Sequence, residues 1–178
     1  KVITEISTIP NLKEYYSKGI EEKGVLAVGI GAGTRYKMLK PNLFAKILKI
    51  FINKKNIKKI FFLGAGDRDV KYLSELKRYI DFKDFNIQNL VNKVSLDESI
   101  DIISNCEYYL GFDSGLFHVA ASLRIKTYGI FTKINEFSHN NWENVTIFCG
   151  KPCISNKNEY FGNSELNNIS LDEVEKLL

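Results

Sequence analysis

The chain has 178 residues, 44% of them hydrophobic and 26% charged, with a net charge of +4 at pH 7, which suits one globular α/β domain with a proper core. The mild charge, without a dense tract of Lys and Arg among aromatic residues, argues against nucleic acid as a partner, and neither a transmembrane-length apolar run nor a signal peptide is visible. The odd number of cysteines, three, argues against a disulfide framework and favours a reducing compartment.

Short apolar runs alternate along the chain with segments in which apolar residues recur at helical spacing. In chain order the prediction is a strand at 25–30, a helix at 41–51, a strand at 59–63, a helix at 70–80, a strand at 87–91, a helix at 96–103, a strand at 108–112, a helix at 116–123, strands at 127–131 and 145–148, and a helix at 171–178. Ser95 and Glu98 have the spacing of a capping box, and Ser170 caps the last helix. Apolar strands separated by helices predict a doubly wound, Rossmann-like α/β fold with a parallel sheet and a ligand at the carboxyl ends of its strands.

One segment carries the strongest functional signal: the strand predicted at 108–112 turns through Asp113-Ser114-Gly115 directly into an apolar, alanine-bearing helix. Such a turn leaves backbone N–H groups free at the helix N-terminus, where they and the helix dipole bind anions, above all phosphate. Ser114 adds a hydroxyl, and Gly115 lets a ligand approach the backbone. His118 follows Ser114 by four residues, so its imidazole can reach the same anion from the same helix face.

Each of these residues also has a structural interpretation, which the sequence leaves open. Asp113 or Ser114 can be a simple N-cap. Gly115 can ease packing, and His118 can be a core histidine with satisfied hydrogen bonds. Their combination at the carboxyl end of a strand is what favours an anion site.

The loop after the first predicted strand offers a second set of anion-binding groups. It holds Gly29, Gly31 and Gly33 at alternate positions, and Thr34, Arg35 and Lys37 add a hydroxyl and two cations that suit a diphosphate. The spacing matches neither the G-x-G-x-x-G fingerprint nor a P-loop, so a solvated surface loop is the alternative.

The loop after the second predicted strand ends in Asp67-Arg68-Asp69. An acidic residue in this place often binds ribose hydroxyls, and Asp67 is the candidate with Asp69 in reserve. Helix capping is the alternative for either aspartate, since acidic side chains suit a helix N-terminus. The D-x-D pattern alone is weak evidence for a metal, and we predict none.

Other chemistry has little support in the sequence. Ser114 does not lie in a G-x-S-x-G elbow, which argues against a serine nucleophile. His139 lies in the polar loop 138–142, which is more typical of a surface turn, with a loop that lines a ligand as the alternative. Cys149 and Cys153 form a C-x-x-x-C pair, but zinc would need two more ligands nearby.

Together these motifs resemble the carboxyl-terminal half of the heptosyltransferases, glycosyltransferase family nine, which have a GT-B fold. The family carries a D-[ST]-G-x-x-H segment followed by an alanine-rich helix, and residues 113–121 match it closely. Three further segments are similar to segments of the family: residues 31–37, 64–69 and 93–98. The pair Cys149 and Cys153 is similar to a cysteine pair common near the C-terminus of family members. The resemblance runs from about residue 25 to the C-terminus.

The resemblance implies a binding role for eight residues. Four residues of the matching segment would bind the diphosphate of a sugar nucleotide: Asp113, Ser114, Gly115 and His118. Thr34 and Lys37 would clamp it from the facing loop, Asp67 would hold the ribose, and Val94 would lie near the base. The reaction would be inverting transfer of a heptose-like sugar from a nucleotide diphosphate, ADP-heptose above all, to a lipopolysaccharide-core acceptor. It would use no metal or other cofactor, because the helix N-terminus and cations stabilise the departing diphosphate.

A GT-B enzyme has two such domains. The resemblance implies that residues 25–178 are the donor domain, that residues 1–24 are an interdomain connecting helix, and that the amino-terminal domain with the acceptor site and the catalytic base is absent. We therefore expect this chain to bind donor nucleotide and to transfer nothing by itself. The resemblance implies a cytoplasmic location and allows peripheral contact with the inner face of the bacterial inner membrane. The alternatives are the donor domain of another GT-B enzyme, either a different sugar transferase or a sugar-nucleotide epimerase, and a non-catalytic module that binds a nucleotide or sugar phosphate.

Overall fold

The computed structural model describes residues 22–81, 83, 85–131, 142–150 and 166–178, along which strands and helices alternate. The strands are β1 (Glu22–Gly29), β2 (Lys59–Leu63), β3 (Asn86–Asn89), β4 (Cys106–Phe112), β5 (Lys126–Phe131) and β6 (Val145–Cys149). The helices are α1 (Pro41–Lys55), α2 (Asp67–Leu76), α3 (Leu96–Ser104), α4 (Gly115–Ser122) and α5 (Leu171–Leu177), with 3-10 turns at Arg35–Lys37 and Leu166–Asn168. Of the connecting helix predicted at 1–24, residues 1–21 lie outside the described residues.

The helix starts follow local rules that the sequence carries. Pro41 occupies the first position of α1, where its missing N–H costs nothing. At the start of α3 the predicted capping box is confirmed: the Ser95 N–H donates to Glu98 Oε2 at 2.6 Å, and the Glu98 N–H donates to Ser95 Oγ at 3.2 Å. Ser170 caps α5 as predicted, accepting the Glu173 N–H at 3.3 Å.

The six strands form one parallel sheet in the order β3-β2-β1-β4-β5-β6. β1 and β4 are neighbours at its centre, and Gly29 of β1 pairs in register with Gly111 of β4. From this central pair the order runs outward in opposite directions, so the carboxyl ends of β1 and β4 form the topological switch point at which such sheets bind ligands. The predicted doubly wound, Rossmann-like fold is confirmed.

Helices cover both faces of the sheet and build two apolar clusters. On one face, Phe44 of α1 and Tyr72 of α2 contact Phe112 of β4, with ring centroids 5.1 and 5.6 Å apart. On the other face, Tyr109 of β4 and Phe117 of α4 lie in the second cluster, without exposed surface. All of β4 is therefore buried between two packed layers, and the turn that follows it is held firmly in place.

Two elements, β1 and α2, begin three residues earlier than the apolar pattern predicts. β1 begins at Glu22, because its backbone N–H donates to the Asn105 carbonyl at 3.1 Å and the Gly24 N–H donates to Glu107 Oε2 at 2.8 Å. Residues 22–24 therefore pair with the sheet. α2 begins at Asp67 rather than at residue 70, with two acidic residues in its first turn. Among the described residues, no helix is long and apolar enough to cross a membrane.

Candidate functional site

The candidate site lies at the carboxyl edge of the sheet, where the loops that follow β1 and β4 meet. Lys37 closes the short turn after β1, and its ammonium reaches Asp113 at the end of β4, with Nζ and Oδ2 2.6 Å apart. The other carboxylate oxygen of Asp113, Oδ1, lies 3.7 Å from His118 Nε2 on α4. One carboxylate thus bridges a lysine from the first loop and a histidine from the first turns of α4.

This arrangement keeps Asp113 ionised. The neighbouring His118 side chain and the Lys37 ammonium lower the pKa of Asp113 from its ordinary value of 3.8 to about 2, although partial burial opposes them. Lys37 and His118 keep 42% and 44% of their side-chain surface exposed, whereas Asp113 keeps 27%. The Asp113 carboxylate therefore fixes the position of the two basic side chains, and both remain accessible to solvent.

Ser114 stands at the N-cap position of α4, but its side chain makes no capping hydrogen bond. Its carbonyl accepts the N–H groups of Phe117 and His118 at 3.1 and 3.4 Å, which leaves the first N–H groups of α4 without an intrahelical acceptor. A Cβ added at Gly115 would meet no atom within 4 Å. Packing therefore does not require this glycine, and the simple N-cap interpretation of Ser114 does not hold.

Thr34 begins the 3-10 turn that carries Lys37. Its carbonyl accepts the Lys37 N–H at 3.2 Å, and its exposed side chain makes no capping hydrogen bond. The predicted pair of Thr34 and Lys37 therefore sits on one short turn that faces α4 through Asp113.

The two aspartates that follow β2 differ in their surroundings. Asp67, the predicted ribose ligand, is exposed at the first position of α2. Asp69, the reserve, is only 3% exposed, and its Oδ2 accepts the Ala65 N–H at 2.9 Å. Burial raises the pKa of Asp69, against the opposing effects of the Ala65 N–H and the Arg68 charge. Asp69 thus fixes the loop, while Asp67 remains open to a ligand.

Arg68 is a residue of this edge whose role the sequence analysis missed. Its guanidinium reaches across to the loop after β1, donating to the Ala32 carbonyl and, at 3.4 Å, to the Gly33 carbonyl. These bonds join the loop that carries Thr34 and Lys37 to the start of α2. A D-x-D pattern gives no sign of such a contact, because the partners are backbone carbonyls.

Val94, predicted near the base, is half-buried and packs against the second apolar cluster. Asn92 holds the loop of Val94 against the loop that follows β2. Its Oδ1 accepts the Gly66 N–H at 2.6 Å, and its backbone N–H donates to the Gly64 carbonyl at 3.1 Å. Side-chain ion pairs join only part of the predicted set, namely Lys37, Asp113 and His118. Asp67 and Val94 lie on the same edge of the sheet, but among the described residues only hydrogen bonds that involve the backbone connect their loops to the rest of the site.

Trp142 belongs to the polar loop 138–142 of the sequence analysis, and its ring meets that of His118 edge to face, with centroids 6.1 Å apart. His139 and Cys153 lie outside the described residues. Cys149 is half-buried, and burial raises the pKa of Cys106 to about 12. Within the described ranges, no group of three or more His, Cys, Asp or Glu side chains could hold a metal ion.

Comparison with known proteins gives a family match. Residues 8–165 match the family model described as glycosyltransferase family 9 (heptosyltransferase). A curated relative, lipooligosaccharide heptosyltransferase 2 of Campylobacter jejuni, is 22% identical over 136 residues, which are 76% of this chain and 43% of the relative.

Two solved structures share the fold. The E. coli ADP-heptose LPS heptosyltransferase II aligns with a TM-score of 0.67 at 18% identity, over 98% of this chain and 50% of that one. The E. coli heptosyltransferase WaaC, solved with ADP, aligns with a TM-score of 0.70 at 11% identity, over 93% of this chain and 47% of that one. The chain thus spans about half the length of these proteins, and at this identity the likeness shows the fold.

Proposed function

Because the chain belongs to glycosyltransferase family 9, we propose that residues 25–178 form the donor-binding domain of an inverting, metal-independent glycosyltransferase. The donor is a nucleotide-diphosphate sugar, with ADP-heptose as the first candidate, and the acceptor is the core of a lipopolysaccharide. The names of the relatives support this choice, since the C. jejuni protein is a lipooligosaccharide heptosyltransferase and one E. coli structure contains ADP.

The observation that carries the proposal is the Lys37–Asp113–His118 arrangement at the N-terminus of α4. It combines two basic side chains, the first N–H groups of α4 and a Ser114 side chain that makes no capping hydrogen bond, all at the switch point of a doubly wound sheet. A diphosphate needs several hydrogen-bond donors and positive charge in one place, and this edge supplies both.

In the proposed reaction, the sugar leaves the diphosphate and negative charge builds up on the leaving phosphate. The N-terminus of α4, the Lys37 ammonium and the His118 imidazole stabilise that charge, which is the task a metal ion performs in other transferases. An ionised Asp113 would repel a phosphate oxygen in direct contact. Its part is therefore to orient Lys37 and His118 toward the ligand.

The remaining contacts belong to the nucleoside. Asp67 is exposed at the start of α2, where its carboxylate can accept hydrogen bonds from ribose hydroxyls. Val94 offers a half-buried apolar surface against which the base can pack. Thr34, on the turn of Lys37, adds a hydroxyl on the diphosphate side.

Transfer also needs a general base that activates the acceptor hydroxyl. Asp113, with a pKa of about 2, is a poor base near neutral pH, and Asp69 is buried with its Oδ2 bonded to Ala65. These two environments support a base and an acceptor site on the family's other domain. The connection would then end before β1, since residues 22–24 pair with the sheet. We therefore expect donor binding without transfer by this chain alone.

Calorimetry of the purified protein with ADP, ADP-heptose and UDP tests the proposal. Lys37→Ala and His118→Ala should each weaken ADP binding by at least about tenfold, because a hydrogen bond to a charged group is worth about 1.5–3 kcal/mol. Lys54→Ala is the matched control: Lys54 is 45% exposed and pairs with Glu175 at 3.4 Å, away from the switch point. It should leave the affinity unchanged.

The outcomes separate the alternatives. ADP binding that both site variants weaken and the control does not supports the donor site. Tighter binding of UDP than of ADP would point to another sugar nucleotide and hence to a different GT-B enzyme. If neither nucleotide binds the wild-type protein, the proposed donor site does not exist.

A further inference from the structure

The phenol of Tyr109 occupies a slot that two glycines open in the centre of the sheet. Gly29 and Gly111 pair across β1 and β4, on the face that Tyr109 also occupies. A Cβ at Gly29 would overlap the Tyr109 hydroxyl, and one at Gly111 would lie 2.6 Å from it. The side chain therefore runs along β4 toward the carboxyl edge, and its hydroxyl ends beneath the turn that opens α4.

The Tyr109 hydroxyl and the Ser114 hydroxyl are both buried, and neither makes a hydrogen bond of ordinary geometry with a described residue. Tyr109 has no exposed surface, and within the described part of the chain no partner lies within hydrogen-bond distance of its hydroxyl oxygen or of Ser114 Oγ. An unpaired buried hydroxyl costs free energy, so a second purpose is needed to account for the pair. The two groups are nevertheless close enough to interact: burial raises the pKa of Tyr109, and a weak hydrogen-bond interaction with the Ser114 side chain opposes that rise.

A serine hydroxyl has one proton to donate and two lone pairs that accept. If Ser114 is to bind a phosphate oxygen, its proton must point at the ligand and its oxygen can accept from a donor behind it. Burial keeps Tyr109 protonated, so its hydroxyl can be that donor, and among the described residues it has no competing acceptor.

We propose that Tyr109 is a positioning residue for the donor diphosphate: its hydroxyl donates to Ser114 Oγ when the ligand binds, which turns the Ser114 proton toward a phosphate oxygen. This inference rests on the proposed function and adds a residue that does not itself touch the ligand. The two glycines hold the phenol at the right depth, since a larger residue at either position would displace its hydroxyl.

Tyr109→Phe tests the inference in the intact protein, because it keeps the ring and removes only the hydroxyl. We expect ADP affinity, measured by calorimetry, to fall about tenfold, while the melting temperature stays the same or rises as an unpaired buried group is removed. Tyr128→Phe is the control: Tyr128 is a buried tyrosine of β5 that packs in the other apolar cluster, so its loss of a hydroxyl should not change the affinity.

A double-mutant cycle separates positioning from packing. In a Ser114→Ala background Tyr109→Phe should have no further effect on affinity, whereas Ser114→Thr, which keeps a hydroxyl, should retain both the affinity and the sensitivity to Tyr109→Phe. An equal loss in both backgrounds, or a lower melting temperature for Tyr109→Phe, would assign the hydroxyl to packing or stability and overturn the inference.

The inference and the proposed function can fail separately. If the wild-type protein binds ADP, His118→Ala weakens that binding and Tyr109→Phe does not, only the inference is overturned. If the wild-type protein does not bind ADP, both are overturned.

Discussion

Asp113→Asn tests the electrostatic design of the site through its effect on stability. The substitution keeps the shape of the side chain and one acceptor oxygen, but removes the charge that Lys37 contacts at 2.6 Å and His118 at 3.7 Å. In the folded protein the pKa of Asp113 is about 2, against an ordinary value of 3.8. The fold thus stabilises the ionised carboxylate of Asp113 more than the unfolded chain does.

The difference in pKa sets the size of the effect. Each pKa unit is worth about 1.4 kcal/mol, so the shift to about 2 corresponds to at most about 2.5 kcal/mol at pH 7. Lys37 and His118 are 42% and 44% exposed, and screening by solvent reduces the contribution of such pairs. We expect Asp113→Asn to lower the free energy of unfolding by about 1 kcal/mol at pH 7.

Urea unfolding of the wild type and the variant at a series of pH values measures this contribution. Because the folded pKa is lowered, the stabilisation is fully present above pH 3.8 and disappears as the pH falls toward about 2. The two proteins should therefore differ at pH 7 and pH 5 and converge below pH 3.8. High salt should also reduce the difference at pH 7.

Asp101→Asn is the matched control, since Asp101 is an exposed aspartate of α3 for which the described residues show no ion pair. It should change the stability by less than about 0.5 kcal/mol at every pH. Equal stabilities of wild type and Asp113→Asn at pH 7, or an undiminished difference near pH 2, would refute the electrostatic account of Asp113.

Two further substitutions test the two ends of the sheet. Gly115→Ala should leave the free energy of unfolding unchanged or raise it by about 0.5 kcal/mol, because its Cβ meets open space at a helix start, yet weaken ADP binding in calorimetry if the ligand approaches that backbone. Full ADP affinity in this variant would contradict that approach. Glu107→Gln should lower stability in urea at pH 7 without affecting ADP affinity: burial opposes ionisation, but the Gly24 N–H, Lys23 and Lys126 together lower the pKa of Glu107. Its contribution should be present above about pH 4.5 and vanish as the pH falls through the lower folded pKa, so a deficit that persists in acid would exclude this origin.

The sequence predicted those parts of the fold that depend on local signals. β2 has the predicted bounds, and α3 starts with the predicted capping box, because apolar runs and caps are written in neighbouring residues. The start of β1 was not predictable in this way. Glu22 and Gly24 are polar or small, and they join the sheet through Asn105 and Glu107, which lie far along the chain.

The candidate site shows the same division. The motif around Ser114 and the basic residue Lys37 could be predicted, because parallel strands bring the loops that follow them to one edge. The sequence analysis named Asp67 first and kept Asp69 in reserve. Both aspartates open α2, and only the fold shows which of them is buried. Tyr109 resembled any other apolar strand residue, and only the register of β1 against β4 reveals what its hydroxyl faces.

The glycines at this edge show why a glycine-rich sequence is ambiguous about function. A Cβ at Gly29 or Gly111 would collide with Tyr109, so these two glycines make room for protein. A Cβ at Gly33 or Gly115 would meet nothing within 4 Å, and both lie in segments that leave the carboxyl end of a strand. Gly66 also has open space, but its φ of 90° by itself favours glycine. Protein packing does not explain Gly33 and Gly115, whereas the close approach of a ligand to backbone does. The loops after β1 and β4 thus each present one open glycine, which suits the proposed diphosphate at the switch point.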